Sequence, residues 1–164
     1  MIKTTTHREV LQSVRDVMIA AAGKSVADSE LGYASIDDLK ADWRLLVYFD
    51  VDEDQPHEDR RRHSLRLITT LIRRDDPSQR NPSDHDDNAF MRAFEAFRVM
   101  HDGLLATADD PDGTPLEGLP FEPHRDSDPG VVVTGVEDRD RACRIGSRWD
   151  VMFDTLPGSR PDFS

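Results

Sequence analysis

The densest run of side chains able to bind a cation is Asp84-His85-Asp86-Asp87. Carboxylates beside an imidazole suit a metal ion. The same residues stand just ahead of a helical pattern, and a helix N-terminus calls for such acceptors, so capping is the simpler reading. Asp109-Asp110-Pro111-Asp112-Gly113 is reminiscent of a calcium loop. The EF-hand pattern needs acids where Ala108 and Leu119 stand, so this run reads as a turn. Asp50, Asp52, Glu53 and Asp54 with His57 could gather a hard cation, but an exposed hairpin tip accounts for them without one. The expectation is therefore no metal and no cofactor.

Nucleophiles give no stronger signal. No serine stands in a G-x-S-x-G elbow, and neither H-E-x-x-H nor G-x-x-x-x-G-K-[ST] occurs. Cys143 is the lone cysteine, has no histidine near it in sequence, and lies in an alternating apolar run. It reads as a small buried hydrophobe. The expectation is a chain that is not an enzyme, with no catalytic residue to name.

The arginines are more informative. Arg60, Arg61, Arg62, Arg66, Arg73 and Arg74 gather on one segment, directly after the acids of 50–59. The guanidinium fork suits bidentate contacts with carboxylate or phosphate. Three readings are open. The charges pair along their own hairpin, where each exposed pair is worth little. Or the acidic stretch of one copy meets the basic stretch of the next, a head-to-tail contact that closes a ring when repeated about an axis. Or the arginines form a local patch near nucleic acid. The candidate subunit interface is Asp52, Glu53, Asp54, Arg60, Arg61, Arg62, Arg73 and Arg74.

Composition limits these readings. The chain has 164 residues, with Lys+Arg 21 against Asp+Glu 33, a net charge of -12. So acidic a chain is ill suited to wrapping duplex DNA, whose phosphates need compensating cations. No apolar run approaches the roughly 18 residues of a membrane span. One cysteine excludes a disulfide scaffold. The N-terminal Met1-Ile2-Lys3-Thr4-Thr5-Thr6 run lacks the apolar core of a signal peptide, so folding in a reducing cytoplasm is expected. Asp outnumbers Glu by 25 to 8, and Arg outnumbers Lys by 18 to 3. Either a GC-rich genome or a salt-loaded, halophilic cytoplasm accounts for that bias.

Six elements must position these residues. Val10, Leu11, Val14, Val17, Met18 and Ala21 recur at helical spacing, with Thr6 and Glu9 as a capping box and Gly23 as a stop, giving a helix over 7–22. Ser35 to Lys40 offers one helical turn. Trp43, Leu45, Val47, Phe49 and Val51 alternate with a second, partly apolar set, giving a strand over 43–51 with both faces covered. Residues 52–59 read as a polar connection, and a second strand runs over about 64–74. After a loop at 75–85, Phe90, Phe94, Phe97 and His101 form the stripe of a helix over about 86–102, with Gly103 as its stop and His101 as a satisfied core histidine. The Pro- and Asp-rich stretch 106–129 reads as a surface excursion. Strands over 130–136 and 142–154 follow, with a charged turn between them and Trp149 in the core. A loose tail starts at Leu156. The sum is a single α+β domain over 1–164: an antiparallel sheet of about four strands with two helices on one face, in the order α-β-β-α-β-β.

That order, and the final segment Gly135-Val136-Glu137-Asp138-Arg139-Asp140 followed by Arg144-Ile145-Gly146-Ser147-Arg148-Trp149-Asp150-Val151-Met152-Phe153, resembles the tail terminator proteins of long-tailed phages and tailed viruses. That neck and tail-completion family likewise ends on a charged turn and a long strand carrying aromatics. The resemblance implies a structural virion protein, assembled in the host cytoplasm. It would form a hexameric ring that caps the tail tube and joins the tail to the head. Its partners would be other copies of itself, the tail tube protein and the head-neck connector protein, with DNA passing through the lumen without specific binding. The alternatives are a head-completion or tail-completion connector of the same neck, or a small acidic inhibitor that mimics DNA. Against the mimic, the acids are scattered through loops and alternate with arginines.

Overall fold

The computed structural model describes residues 2–22, 29–31, 43–74, 89–125, 132–136 and 142–157, with side chains placed over 2–22, 44–72, 94–125 and 145–157. Helix α1 spans His7–Ala22, as its spacing predicts, and buries Val10, Leu11, Val14 and Met18. Its first turn is capped where Glu9 N–H donates to Thr6 Oγ1 at 3.2 Å. The Glu9 carboxylate accepts from the Thr5 hydroxyl. The suggested stop at Gly23, the turn at 35–40, the 75–85 loop and the 84–87 cap lie outside the described residues.

The strands are β1 (Ser29–Leu31), β2 (Trp43–His57), β3 (Arg60–Arg74), β4 (Phe121–Pro123), β5 (Val132–Val136) and β6 (Ala142–Thr155); helix α2 spans Ala89–Asp109. The sheet runs β1-β2-β3-β6-β4, with β5 also on β6. The four longer strands, β2, β3, β5 and β6, pair antiparallel, and with α1 and α2 they follow the expected order. The two three-residue strands were not foreseen. β1 lies parallel to Leu45–Val47, and β4 lies antiparallel to Trp149–Val151.

Both helices cover one face of the sheet. Leu45, Val47, Leu65, Leu67, Leu71, Ile145, Trp149, Val151 and Phe153 meet α1 and the Phe97, Met100 and Leu104 stripe of α2 in one core. Three of its polar members satisfy one another: Trp149 Nε1–H donates to Ser147 Oγ at 2.8 Å, and that hydroxyl is 2.7 Å from Thr69 Oγ1. At one end the opposite face is closed too, with Arg44, Leu46 and Ile72 each 1–2% exposed. This agrees with a strand apolar on both sides.

Three expectations need correction. β2 does not stop at Val51 but runs to His57, leaving Glu58-Asp59 as the turn, with Glu58 at φ 55°. Polarity hides the strand here because β1 reaches only Val47, so beyond it β2 has an open side among the described residues. An open side tolerates charges and Pro56. Second, α2 passes through Gly103 to Asp109. A Cβ on Gly103 would lie 2.6 Å from Ala21 Cβ, so this glycine permits close helix contact rather than ending a helix. Third, 106–129 is no mere excursion. It completes α2 and supplies β4, while turns with Gly113 and Gly118 at positive φ bring Leu116 and Leu119 into the core.

The outer edge of β6 is covered in succession. β5 pairs with 143–146 and β4 with 149–151. The N-terminal segment then takes over: Asp154 N–H donates to Lys3 C=O, and Thr5 N–H donates to Asp154 C=O.

Candidate functional site

The charged residues collect on the outer half of the β2–β3 hairpin, where Asp52 to Asp59 are all exposed. A register shift between Phe49 and Val51 sets their direction. Phe49 pairs with Leu67 on the helix side, but Val51 pairs with Arg66 on the other. One extra residue, Asp50, reverses the alternation, as a β-bulge does. Val51 thereby leaves the face it was expected to share with Leu45 and Val47, and Asp52, opposite Leu65, takes its place.

Asp52 therefore looks toward α1. His7 Nε2, from the first residue of that helix, lies 2.8 Å from Asp52 Oδ2. His63 Nδ1, from β3, lies 3.0 Å from Asp52 Oδ1. His63 is buried, and its Nε2 sits 2.9 Å from Thr155 Oγ1 at the end of β6. Phe153 stacks on His63 with centroids 5.0 Å apart, and His7 packs edge-on against both rings. Sequence reasoning paired Asp52 with the nearby His57. It missed His7, 45 positions away, and His63, 11 positions away. Only the bulge and the strand pairing bring them together.

The arginines divide. Arg62 Nε donates to Asp154 Oδ1 at 3.0 Å, and Arg60 Nη1 stands 3.6 Å from Asp154 Oδ2. Asp154 is fully buried, and Arg62 foremost, then Arg60, hold its carboxyl below the usual carboxylate range. Arg60 is itself held more firmly protonated, by Asp59 first and Asp154 second. Arg61 points elsewhere: its guanidinium hydrogen-bonds Asp54 and lowers that carboxyl. Both partners are well exposed, so the pair adds little stability. Glu53 is exposed. Arg73 and Arg74 belong to β3, and their side chains lie outside the described residues. Among the described residues, acids and arginines pair along the hairpin at Arg61–Asp54 and Arg60–Asp59, whereas Arg62 turns to Asp154 of β6 and Asp52 to His7 and His63, leaving Glu53, Asp54 and Arg61 as the outward charges.

One other site differs from expectation, and one was not foreseen. His101 is buried between Phe97 and Trp149, but neither ring nitrogen has a hydrogen-bond partner among the described residues, so it is not a satisfied histidine. Burial pushes its pKa down, and Asp102 opposes this only weakly. A groove of about 770 Å³ opens beside Glu53, Ser64, Arg66 and His124, with His124 Nδ1 2.9 Å from Asp150 Oδ1. The side chain of Cys143 lies outside the described residues. No helix among the described residues is long and apolar enough to cross a membrane.

No family model matches the chain, and no curated protein matches it. Among solved structures the chain is similar to the sheath/tube terminator of PVC, an extracellular contractile injection system, in its extended state. The likeness has a TM-score of 0.40 at 10% identity and covers 99% of this chain, which spans 62% of the length of that one.

Proposed function

We propose that this chain is a structural, ring-forming tail terminator, which caps a tail tube and joins it to the head-neck connector. The observation that carries the reading is the hairpin arm. β2 and β3 extend to a two-residue turn with every residue from Asp52 to Asp59 exposed. β3 pairs with β6 as far as Arg61, so the part open to a neighbour is the β2 side and the turn, Asp52 to Asp59. The α-β-β-α-β-β order supports the reading, because it is the order the family resemblance implies. Bulge, proline and acids along the open side of β2 guard it against indiscriminate strand pairing. Contact between copies would then be selected by charge, with Arg61 of one copy against Glu53 and Asp54 of the next.

Mass measurement of the purified chain tests this. A ring is expected, six-fold if the resemblance extends that far; a monomer at every concentration refutes it. The informative variant is Arg61→Glu, because Arg61 is exposed and its pair is weak. Reversal of Arg62 would also strip Asp154 of its main partner. Arg61→Glu is expected to shift the ring toward monomer without unfolding, and unchanged assembly would exclude the charged arm as the contact.

A further inference from the structure

His7, Asp52 and His63 come from three separate segments, yet their ligand atoms all lie within 4.8 Å of one another. We propose that His7 Nε2, His63 Nδ1 and the Asp52 carboxylate form a binding site for a divalent transition metal, with Zn²⁺ the best fit. Two imidazole nitrogens and one carboxylate oxygen suit borderline cations. Calcium and magnesium prefer oxygen donors throughout.

The surroundings fit a metal centre. A ligating histidine usually donates its second ring N–H to an outer partner, which fixes the tautomer. His63 has that partner in Thr155 Oγ1, 2.9 Å from Nε2. If Nε2–H donates to this hydroxyl, the lone pair of Nδ1 faces an Asp52 oxygen 3.0 Å away. Two acceptors so placed require a positive centre between them: a proton or a metal ion. A tetrahedral zinc about 2.0–2.1 Å from each donor spaces its ligands about 3.3 Å apart. From the single oxygen Asp52 Oδ2 the present separations are 2.8 Å to His7 and 3.2 Å to His63, and the two ring nitrogens lie within 4.8 Å of each other, so the three ligands need shift only modestly to close on one ion.

There is also a way in. The His7 and Asp52 side chains are 33% and 26% exposed, so an ion can enter from solvent and keep a water as fourth ligand. Phe49 and Phe153 flank the His7 ring and dry the other side. The position at the N-terminus of α1 carries a mild electrostatic penalty for a cation. The Asp52 charge, bound directly to the ion, offsets it. A metal here would tie the start of α1 to β2 and β3 beside the end of β6.

The test uses the full, untagged chain after chelator treatment and dialysis. Zn²⁺ titration followed by metal analysis is expected to give one ion retained per chain, and Co²⁺ is expected to give the visible absorption of a tetrahedral site. His7→Ala alters a partly exposed residue outside the core and should leave the far-ultraviolet dichroism intact. It is expected to weaken Zn²⁺ binding by more than about 100-fold, since even outer-partner changes such as Thr155→Val cost roughly 10- to 100-fold. The proposal is overturned if the wild-type chain retains no stoichiometric zinc. It is equally overturned if a folded His7→Ala chain binds zinc as tightly, because the ion would then sit on scattered surface carboxylates.

Discussion

At the scale of single residues, two buried side chains among the described residues, His101 and Asp154, tie stability to acidity, and they act in different ranges. His101 is buried against Phe97 and Trp149 without a partner for either ring nitrogen among the described residues, and its pKa lies below the ordinary 6.5. The unfolded chain therefore binds this proton more readily than the folded one. Stability is full above about pH 6.5 and falls as pH drops from there toward the lowered folded value. Asp154 is also depressed, by Arg62 and then Arg60, so its contribution is lost only as pH falls below about 4. Replacing both polar nitrogens with an apolar side chain removes an unsatisfied buried group. His101→Leu is expected to raise stability by about 1 kcal/mol. Urea unfolding from pH 8 to pH 3 should show the first decline missing in the variant and the second retained. An unaltered first decline would show that His101 is not its source.

At the scale of elements, the contact between α1 and α2 is set by what is missing from Gly103. A Cβ there would stand 2.6 Å from Ala21 Cβ, and neither atom belongs to a flexible side chain that could swing aside. Helix propensity alone makes Gly→Ala favourable by about 1 kcal/mol. Overpacking costs about 1–3 kcal/mol and works against it. The expected net effect of Gly103→Ala is destabilisation of about 1 kcal/mol, and Ala21→Gly in the same chain should restore the lost contact. Thermal unfolding of the four chains of this double-mutant cycle decides it: additive effects would mean that the helices simply move apart. The same glycine shows where sequence reading fails. Taken locally, it is a helix stop; its actual role depends on Ala21 of α1, 82 positions earlier. Periodicity found α1, β6 and β3 from about residue 64 on, because each keeps one phase there: Leu65, Leu67, Thr69 and Leu71, or Ile145, Ser147, Trp149, Val151 and Phe153, are buried as read, whereas the polar start of β3, Arg60 to His63, was missed. β2 changes phase at Asp50, and neither the bulge nor the polar outer half of the strand leaves a mark in an apolar count. The arginine-rich hairpin was legible from spacing. The His7–Asp52–His63 cluster was not, because it depends on that phase change and on a helix start far away in sequence.

For the whole molecule, the charge of -12 implies opposite responses to salt in folding and in the proposed assembly. A compact chain with excess carboxylate repels itself, and salt screens the repulsion. The Debye length shrinks from about 10 Å at 0.1 M to about 3 Å at 1 M. Asp154 is protected from most of this screening because it is fully buried beside its arginines, so the main intrachain charge cluster should persist. The exposed Arg61 and its acidic neighbours have no such protection. Raising salt over this range is therefore expected to increase the melting temperature by a few degrees, about 2–4 °C for each kcal/mol of relieved repulsion in a chain of this size. It should also shift rings toward monomers, if the arm docks by charge. Light scattering and thermal unfolding on the same samples separate the two effects. Rings that persist at high salt would move the contact from the charged arm to apolar surface. A melting temperature indifferent to salt would favour genome composition over a saline cytoplasm as the origin of the Asp and Arg bias.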